Sequence, residues 1–239
     1  MTPQKKGILY LIPTFLSENT VDQSVTPYLK KVVAETEYYL VENVRTARRF
    51  ISALQIGITI DALDFKEVNK RTGTEEIDSL LEPLNKGKNV GLMSEAGCPA
   101  VADPGSQVVE AAHKSDIKVV PLVGPSSILL ALMASGFSGQ SFAFHGYLPI
   151  DDHKKRKRLV SLEKRSLEFQ ETQIFMETPF RNKQLFKAIL QHCNPETRLS
   201  IAKNLTADNE WISTKKIRDW KLEEPDLHKA PVIFSLSNP

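Results

Sequence analysis

At 239 residues the chain is long enough for one large or two modest domains. With 41% hydrophobic and 25% charged residues it has the composition of a soluble globular protein, and no apolar run approaches the roughly 18 residues of a membrane span. The net charge of +2 excludes no class of partner by itself, so its distribution along the chain matters more.

Met1 to Lys6 is polar and runs straight into an apolar segment, unlike a signal peptide. Cys98 and Cys193 form no C-x-x-C, so a disulfide or zinc framework is not expected and a cytoplasmic location is. Gly7 to Pro13 (G-I-L-Y-L-I-P) is apolar and ended by proline, which predicts a buried first strand. Pro27 to Glu35 predicts a helix, Tyr38 to Val41 a second strand, and Val44 to Leu54 a helix closed by Gly57. Ile77, Leu80, Leu81 and Leu84 have helical spacing within Thr74 to Asn85, with Gly87 just beyond.

Val90 to Met93 predicts a strand that breaks into the small, turn-forming residues S-E-A-G-C-P-A-V-A-D-P-G, Ser94 to Gly105. A helix-like run from Ser106 to His113 follows, with Asp103 placed as its N-cap and Pro104 at its first position. Gly97 and Gly105 permit backbone conformations that a Cβ would block. The loop matches neither G-x-G-x-x-G nor the P-loop pattern. Lys118 to Leu122 completes a series in which strands alternate with helices. Such a series implies an α/β fold with a mostly parallel, doubly covered sheet, and ligands bind such sheets at the carboxyl ends of the strands.

A break at Val123-Gly124-Pro125-Ser126-Ser127 sets a domain boundary, giving two α/β domains over residues 1–123 and 124–239. Ile128 to Ala134 is apolar on nearly every side and predicts a buried helix, with Ser126 and Ser127 as caps and Gly136 at its end. Ser141 to Tyr147 alternates as a strand does, and a basic helix follows. Strand Gln173 to Glu177, helix Arg181 to His192, strand Leu199 to Lys203 and strand Pro231 to Leu236 complete the chain, so the second half has more strand–strand succession.

Six segments in this order resemble the tetrapyrrole methylase superfamily of S-adenosylmethionine-dependent methyltransferases. They are Ile12-Pro13-Thr14, Ser94 to Gly105, Val119 to Ser127 (V-V-P-L-V-G-P-S-S), Phe144 to Pro149 (F-H-G-Y-L-P), Met176 to Arg181 (M-E-T-P-F-R) and Ala202 to Thr206 (A-K-N-L-T). Within the superfamily the chain is most similar to the branch that methylates the ribose 2′-hydroxyl of a small-subunit ribosomal RNA cytidine. The resemblance implies two α/β domains, the donor S-adenosylmethionine folded in the cleft between them, and a homodimer. It implies that Ile12 and Pro13 bind the cofactor, and that the loop residues Ser94, Glu95, Ala96, Gly97 and Asp103 hold its methionine moiety through backbone groups. Ser126 and Ser127 are implied near the sulfonium or the carboxylate. Met176, Leu205 and the segment Ala230-Pro231-Val232 are implied around adenine, and Thr178 in contact with the cofactor.

The same resemblance fails on the acceptor side. Phe15-Leu16-Ser17-Glu18-Asn19 stands where that branch carries Gly-Asn-Leu, and V-E-N-V-R stands for A-E-D-T-R, so Asn43 and Val44 depart while Glu42 and Arg45 remain. Asp64 to Asn69 replaces an acidic, His/Asn-rich segment.

Methyl transfer from a sulfonium is an in-line displacement that relies on positioning and requires no metal. A ribose hydroxyl is a poor nucleophile, so a base or cation beside it helps. Glu42 is the candidate base or substrate-orienting group and Arg45 the candidate phosphate or hydroxyl partner; their spacing also suits a surface ion pair. His153 to Arg165 is the one strong charge cluster, and Lys154, Lys155, Arg156, Lys157 and Arg158 are its candidate RNA-phosphate contacts, as against a solvated helix face. Glu95 and Glu177 read equally as cleft residues and as structural acids. His113, His192 and His228 show no ligand spacing, and His145 is the histidine best placed to face a cleft. Cys98 has no His–acid partner and reads as a packing residue. Two other readings compete with RNA 2′-O-methylation: methylation of a tetrapyrrole or another small molecule, and binding of the donor or RNA without catalysis.

Overall fold

The structure is a computed structural model that describes residues 5–69 and 71–238. The polar start read from Met1 to Lys6 falls, for residues 1–4, outside that range. The chain divides into two compact units, Met1–Ser126 and Ser127–Pro239.

The first unit contains β1 (Ile8–Leu11), the short α1 (Val21–Ser24), α2 (Pro27–Ala34), β2 (Tyr38–Val41), α3 (Val44–Ala53), β3 (Asp64–Glu67), α4 (Thr74–Leu80), α5 (Glu82–Asn85), β4 (Val90–Met93), α6 (Ser106–Lys114) and β5 (Lys118–Pro121). The strands form one sheet in the order β3-β2-β4-β1-β5, parallel throughout. Alternation along the strands decides which helix each face takes. Tyr39, Val41, Ile12 and Met93 pack with α2 and α3, whereas Leu9, Leu40, Val90 and Leu92 pack with α4, α5 and α6. The chain leaves β1 toward β2 and leaves β4 toward β5, so the connections diverge from two adjacent strands. That divergence is a topological switch point, where a crevice opens outside the carboxyl ends.

Three local features differ from the sequence reading. The segment 74–85 is two helices, because Leu81 caps the first and Pro83 lies in the first turn of the second, where its missing N–H costs nothing. β3 was not expected: D-F-K-E is an edge strand with one inward residue, Phe65, stacked on Tyr39 at 5.4 Å between ring centroids. Gly105, not Asp103, occupies the N-cap of α6; its φ of +125° turns the chain after Pro104, which carries Asp103 off the helix end.

The second unit contains α7 (Ser127–Ser135), β6 (Phe142–Tyr147), α8 (Asp152–Phe169), β7 (Thr172–Met176), α9 (Asn182–His192), β8 (Arg198–Lys203), β9 (Trp211–Lys216), the short α10 (Ile217–Trp220) and β10 (Val232–Ser237). Its sheet order is β6-β7-β10-β8-β9, with β6 and β7 parallel and the other neighbours antiparallel. Trp220 is fully buried, donates its indole N–H to the Leu199 carbonyl at 3.0 Å and packs edge-on against Phe186 and Trp211. Full burial of one such side chain contributes about 1.5–3 kcal/mol. α7 is not buried all round: Ile128, Ala131 and Leu132 face inward, while Leu129 and Met133 are 48% and 78% exposed.

Candidate functional site

The loop from Ser94 to Gly105 leaves β4 at the switch point. Thr14, just beyond β1, forms an isolated bridge with Gly97, the two backbones exchanging hydrogen bonds of 3.0 and 3.2 Å. Gly97, Ala100, Ala102 and Gly105 all have positive φ, between +66° and +125°. The two glycines adopt such angles without strain, whereas the alanines are held there at a cost of order 1–3 kcal/mol each. Strain of that kind is retained where a loop must present its backbone in one particular way. The alanines were not singled out from sequence; their only signal was small size. Ser94 is 4% exposed, and its hydroxyl has no hydrogen-bond partner among the described residues. A buried hydroxyl without a partner costs about 1–3 kcal/mol, which a polar ligand at this strand end would recover. Ala96 and Glu95 are exposed and Asp103 is half-buried in the same loop.

Ile12 is fully buried and its N–H donates to the Leu92 carbonyl, so its side chain belongs to the core. Pro13 is buried beside Gly124, where a Cβ would lie 2.4 Å from the Pro13 Cβ; only glycine lets the segment after β5 pass so close. Cys98 donates from Sγ to the Pro125 carbonyl at 3.4 Å, and burial pushes its thiol above the ordinary value, which suits packing and not attack. Ser126 closes the first unit and Ser127 opens α7 as its first helical residue, both half-buried.

Glu42 lies between β2 and α3 and accepts from the Glu95 N–H through Oε2 at 3.3 Å. The Thr46 hydroxyl donates to Glu95 Oε1 at 3.5 Å, and Asn43 caps α3 by accepting from the Thr46 N–H at 3.1 Å. The departure at Asn43 thus leaves the helix cap chemically sound, since Asn and Asp cap equally well. Arg45 is exposed and, among the described residues, its side chain has no hydrogen bond or ion pair. Phe15, Glu18, Asn19, Arg49 and Ala53 line an open concavity of about 380 Å³ next to this helix, with Arg49 paired to Glu18 at 3.1 Å.

In the second unit the carboxyl ends of β7 and β8 meet the start of β10. Met176 pairs with Ile233, Lys203 pairs with Val232, and the Asn204 N–H donates to the Pro231 carbonyl at 3.0 Å. This gathers Met176, Leu205, Ala230 and Pro231 at one sheet end, with Thr178 two residues beyond Met176. Asn182, absent from the sequence reading, ties the end together: it is fully buried and donates to the Ala230 carbonyl at 2.7 Å. Glu177 is buried and its carboxylate is bonded to Arg181 at 2.6 Å. Asn182 Oδ1, Thr206 Oγ1 and Arg181 Nε are buried without partners among the described residues, a second set of polar atoms suited to a ligand.

The basic cluster lies on α8, capped by Asp151, which accepts from the Lys154 N–H at 2.9 Å. Lys154, Arg156, Lys157 and Arg158 are exposed. Lys155, expected among the phosphate contacts, instead faces inward at 6% exposure with its ammonium on Asp152 at 3.0 Å. It shares the inward stripe with Leu159, Leu162 and Ser166, spaced four, three and four residues apart, which helical geometry places on one face. It is therefore not among the cations available to a phosphate.

The tetrapyrrole (corrin/porphyrin) methylase family model matches residues 15–220, and the chain belongs to that family of methyltransferases. Among its relatives, Ribosomal RNA small subunit methyltransferase I of Vibrio cholerae is 29% identical over 236 residues, covering 97% of this chain and 77% of that protein. The protein of the same name from Leptospira biflexa is 31% identical over 236 residues, covering 98% of this chain and 92% of that one. The crystal structure of the methyltransferase CobJ superposes with a TM-score of 0.63 at 17% identity, covering 98% of this chain and 94% of that one. That likeness concerns the fold.

Proposed function

We propose that the chain transfers a methyl group from S-adenosylmethionine to a ribose 2′-hydroxyl of a cytidine in small-subunit ribosomal RNA. The observation that carries the acceptor is its similarity, along nearly the whole chain, to proteins named for small-subunit ribosomal RNA methylation. The exposed cations of α8 fit a polyanion better than a small tetrapyrrole. The donor supplies a methyl group on a sulfonium. Around it, the backbone of the loop Ser94 to Gly105 holds the methionine part, and the partnerless Ser94 hydroxyl gives it one polar contact. In the second unit, Met176, Leu205, Ala230 and Pro231, with Thr178 beside them, are the candidates for an adenine contact. Ser126 and Ser127 bind the carboxylate through their hydroxyls and the N–H groups at the start of α7. Glu42 orients the loop through Glu95, and Arg45 takes a phosphate of the acceptor.

The protein is taken to act in the cytoplasm as a homodimer, for which the exposed Leu129 and Met133 of α7 offer an apolar contact. The test is transfer of labelled methyl to small subunits, or to their naked RNA, from cells lacking this chain. Incorporation at one cytidine ribose supports the reading. Donor binding without incorporation into any ribosomal RNA sinks it, and incorporation into a tetrapyrrole replaces it.

A further inference from the structure

His145, on the edge strand β6, has both ring nitrogens engaged. Nδ1 lies 2.9 Å from Nη2 of Arg158, and Nε2 lies 2.7 Å from Oε1 of Gln173. A guanidinium has only donors, so Nδ1 must be the unprotonated nitrogen and Nε2 must carry the proton. The orientation of the Gln173 amide is fixed independently: its Nε2 donates to the carbonyl oxygen and to Oε2 of Glu171, both at 2.9 Å. Gln173 is fully buried on β7, and the Glu171 carboxylate also accepts from Arg165. Every donor in the series Arg158, His145, Gln173, Glu171 therefore points the same way, and no member has a second arrangement that satisfies it. Burial holds the His145 imidazole below its ordinary value; Arg158 and Arg165 on α8 add to this, while Gln173 and Glu171 oppose it. The resulting neutral ring is the form that can accept.

The other exposed cations at the start of α8 differ. Lys154, Arg156 and Lys157 have no side-chain partner among the described residues. Arg158 alone is held, and through one nitrogen, which leaves its remaining N–H groups for an anion. An arginine carries about 2 kcal/mol of rotamer entropy, part of which is lost on each contact it makes, unless the fork is already oriented.

We propose that His145 is a positioning residue: as the neutral Nε2–H tautomer it accepts from Arg158 and presets that guanidinium for one backbone phosphate of the acceptor RNA. The proposal rests on α8 being the RNA-binding face. It is tested with the full chain and a transcript of small-subunit ribosomal RNA, by titration at pH 7.5. His145→Ala is expected to weaken binding by about 2- to 10-fold, the net worth of one hydrogen bond. Arg158→Ala is expected to weaken it at least as much, and His145→Ala added to Arg158→Ala to cause no further loss. His145→Asn, which returns an acceptor near the Nδ1 position, is expected to restore part of the affinity. Nitrogen NMR of the ring is expected to show the Nε2–H tautomer at neutral pH. An equal loss from His145→Ala in both backgrounds means a merely structural role and overturns the proposal. A loss with Arg158→Ala but none with His145→Ala overturns it while the RNA face stands. If Arg158→Ala and joint neutralisation of Lys154, Arg156 and Lys157 all leave affinity unchanged, the RNA face itself falls and the proposal with it.

Discussion

Gly105 gives the sharpest test of the signature loop. Its φ of +125° lies outside the regions open to a residue with a side chain, and an added Cβ would sit 3.0 Å from Cδ2 of Leu92, which is 2% exposed in the core. Backbone strain of about 1–3 kcal/mol and crowding of about 1–3 kcal/mol then act together, so Gly105→Ala is expected to destabilise by about 3 kcal/mol or more. For a unit of 126 residues, at about 2.1 cal/mol/K per residue, that is a fall of about 11 °C in Tm. Gly57→Ala in the same unit is the control: φ is +73° and the space around it is open, so about 1 kcal/mol, or about 4 °C, is expected. Calorimetric melts measure both variants, and titration with S-adenosylmethionine follows at a temperature where both are folded. Gly105→Ala is expected to lose at least about tenfold in donor affinity, a shift of 1.4 kcal/mol, while Gly57→Ala keeps it. If the two variants melt alike, or Gly105→Ala binds donor normally, the strained loop is not what shapes the site.

Three further outcomes follow from the same geometry. Glu42→Gln keeps an acceptor for the Glu95 N–H and is expected to retain turnover within about threefold, against the 10²-fold or greater loss that removal of a general base brings; single-turnover rates decide. Neutralising Lys154, Arg156 and Lys157 together is expected to reduce the salt dependence of RNA binding by about two units, from about 0.7 per phosphate contact on a single strand, whereas Lys155→Met leaves that slope unchanged. His145 is held below its ordinary value of 6.5, so between its folded value and 6.5 the unfolded chain binds the proton that the folded one does not. Its contribution is therefore complete above about pH 6.5 and is lost as the pH falls through the folded value. Urea midpoints at pH 7.5, 6.5 and 5.5 are expected to fall more steeply for the natural chain than for His145→Gln, and parallel curves would count against this.

The central strands were legible because they are apolar on both faces. Val90 to Met93 and Tyr38 to Val41 have no other economical structure, and the observed ranges match. The edge strands β3 and β9 were not, although the edges β5 and β6 were. Asp64 to Glu67 buries only the ring of Phe65, and every residue of Trp211 to Lys216 is half-buried, so neither carries an apolar signature. The signature loop was recognised by its small residues, but its cap was misplaced because Asp-Pro ahead of a helix ordinarily caps it. Only the φ of Gly105 reveals that the chain turns first. Lys155 shows the same limit in a helix: within a run of five basic residues, charge conceals the inward stripe that Leu159 and Leu162 define. Asn182 and Gln173 gave no signal at all, since their importance lies in partners 48 residues away at Ala230 and 28 away at His145.

The order of strands also bears on how the chain is made. β1, synthesised first in its sheet, lies between β4 and β5, and Ile8 pairs with Lys118. β10, the last strand of its sheet to be made, lies between β7 and β8 and, among the described residues, joins β6 and β7 to β8 and β9. Each sheet therefore waits for a distant segment before its middle seam can close, and pairings of such separation are slow to form. Until Val232–Ser237 emerges, β7 and β8 each present an open edge to any other strand nearby. The nascent second unit is thus most exposed to aggregation just before Val232–Ser237 is made, and a chain halted ahead of Val232 would leave its sheet in two unjoined pairs.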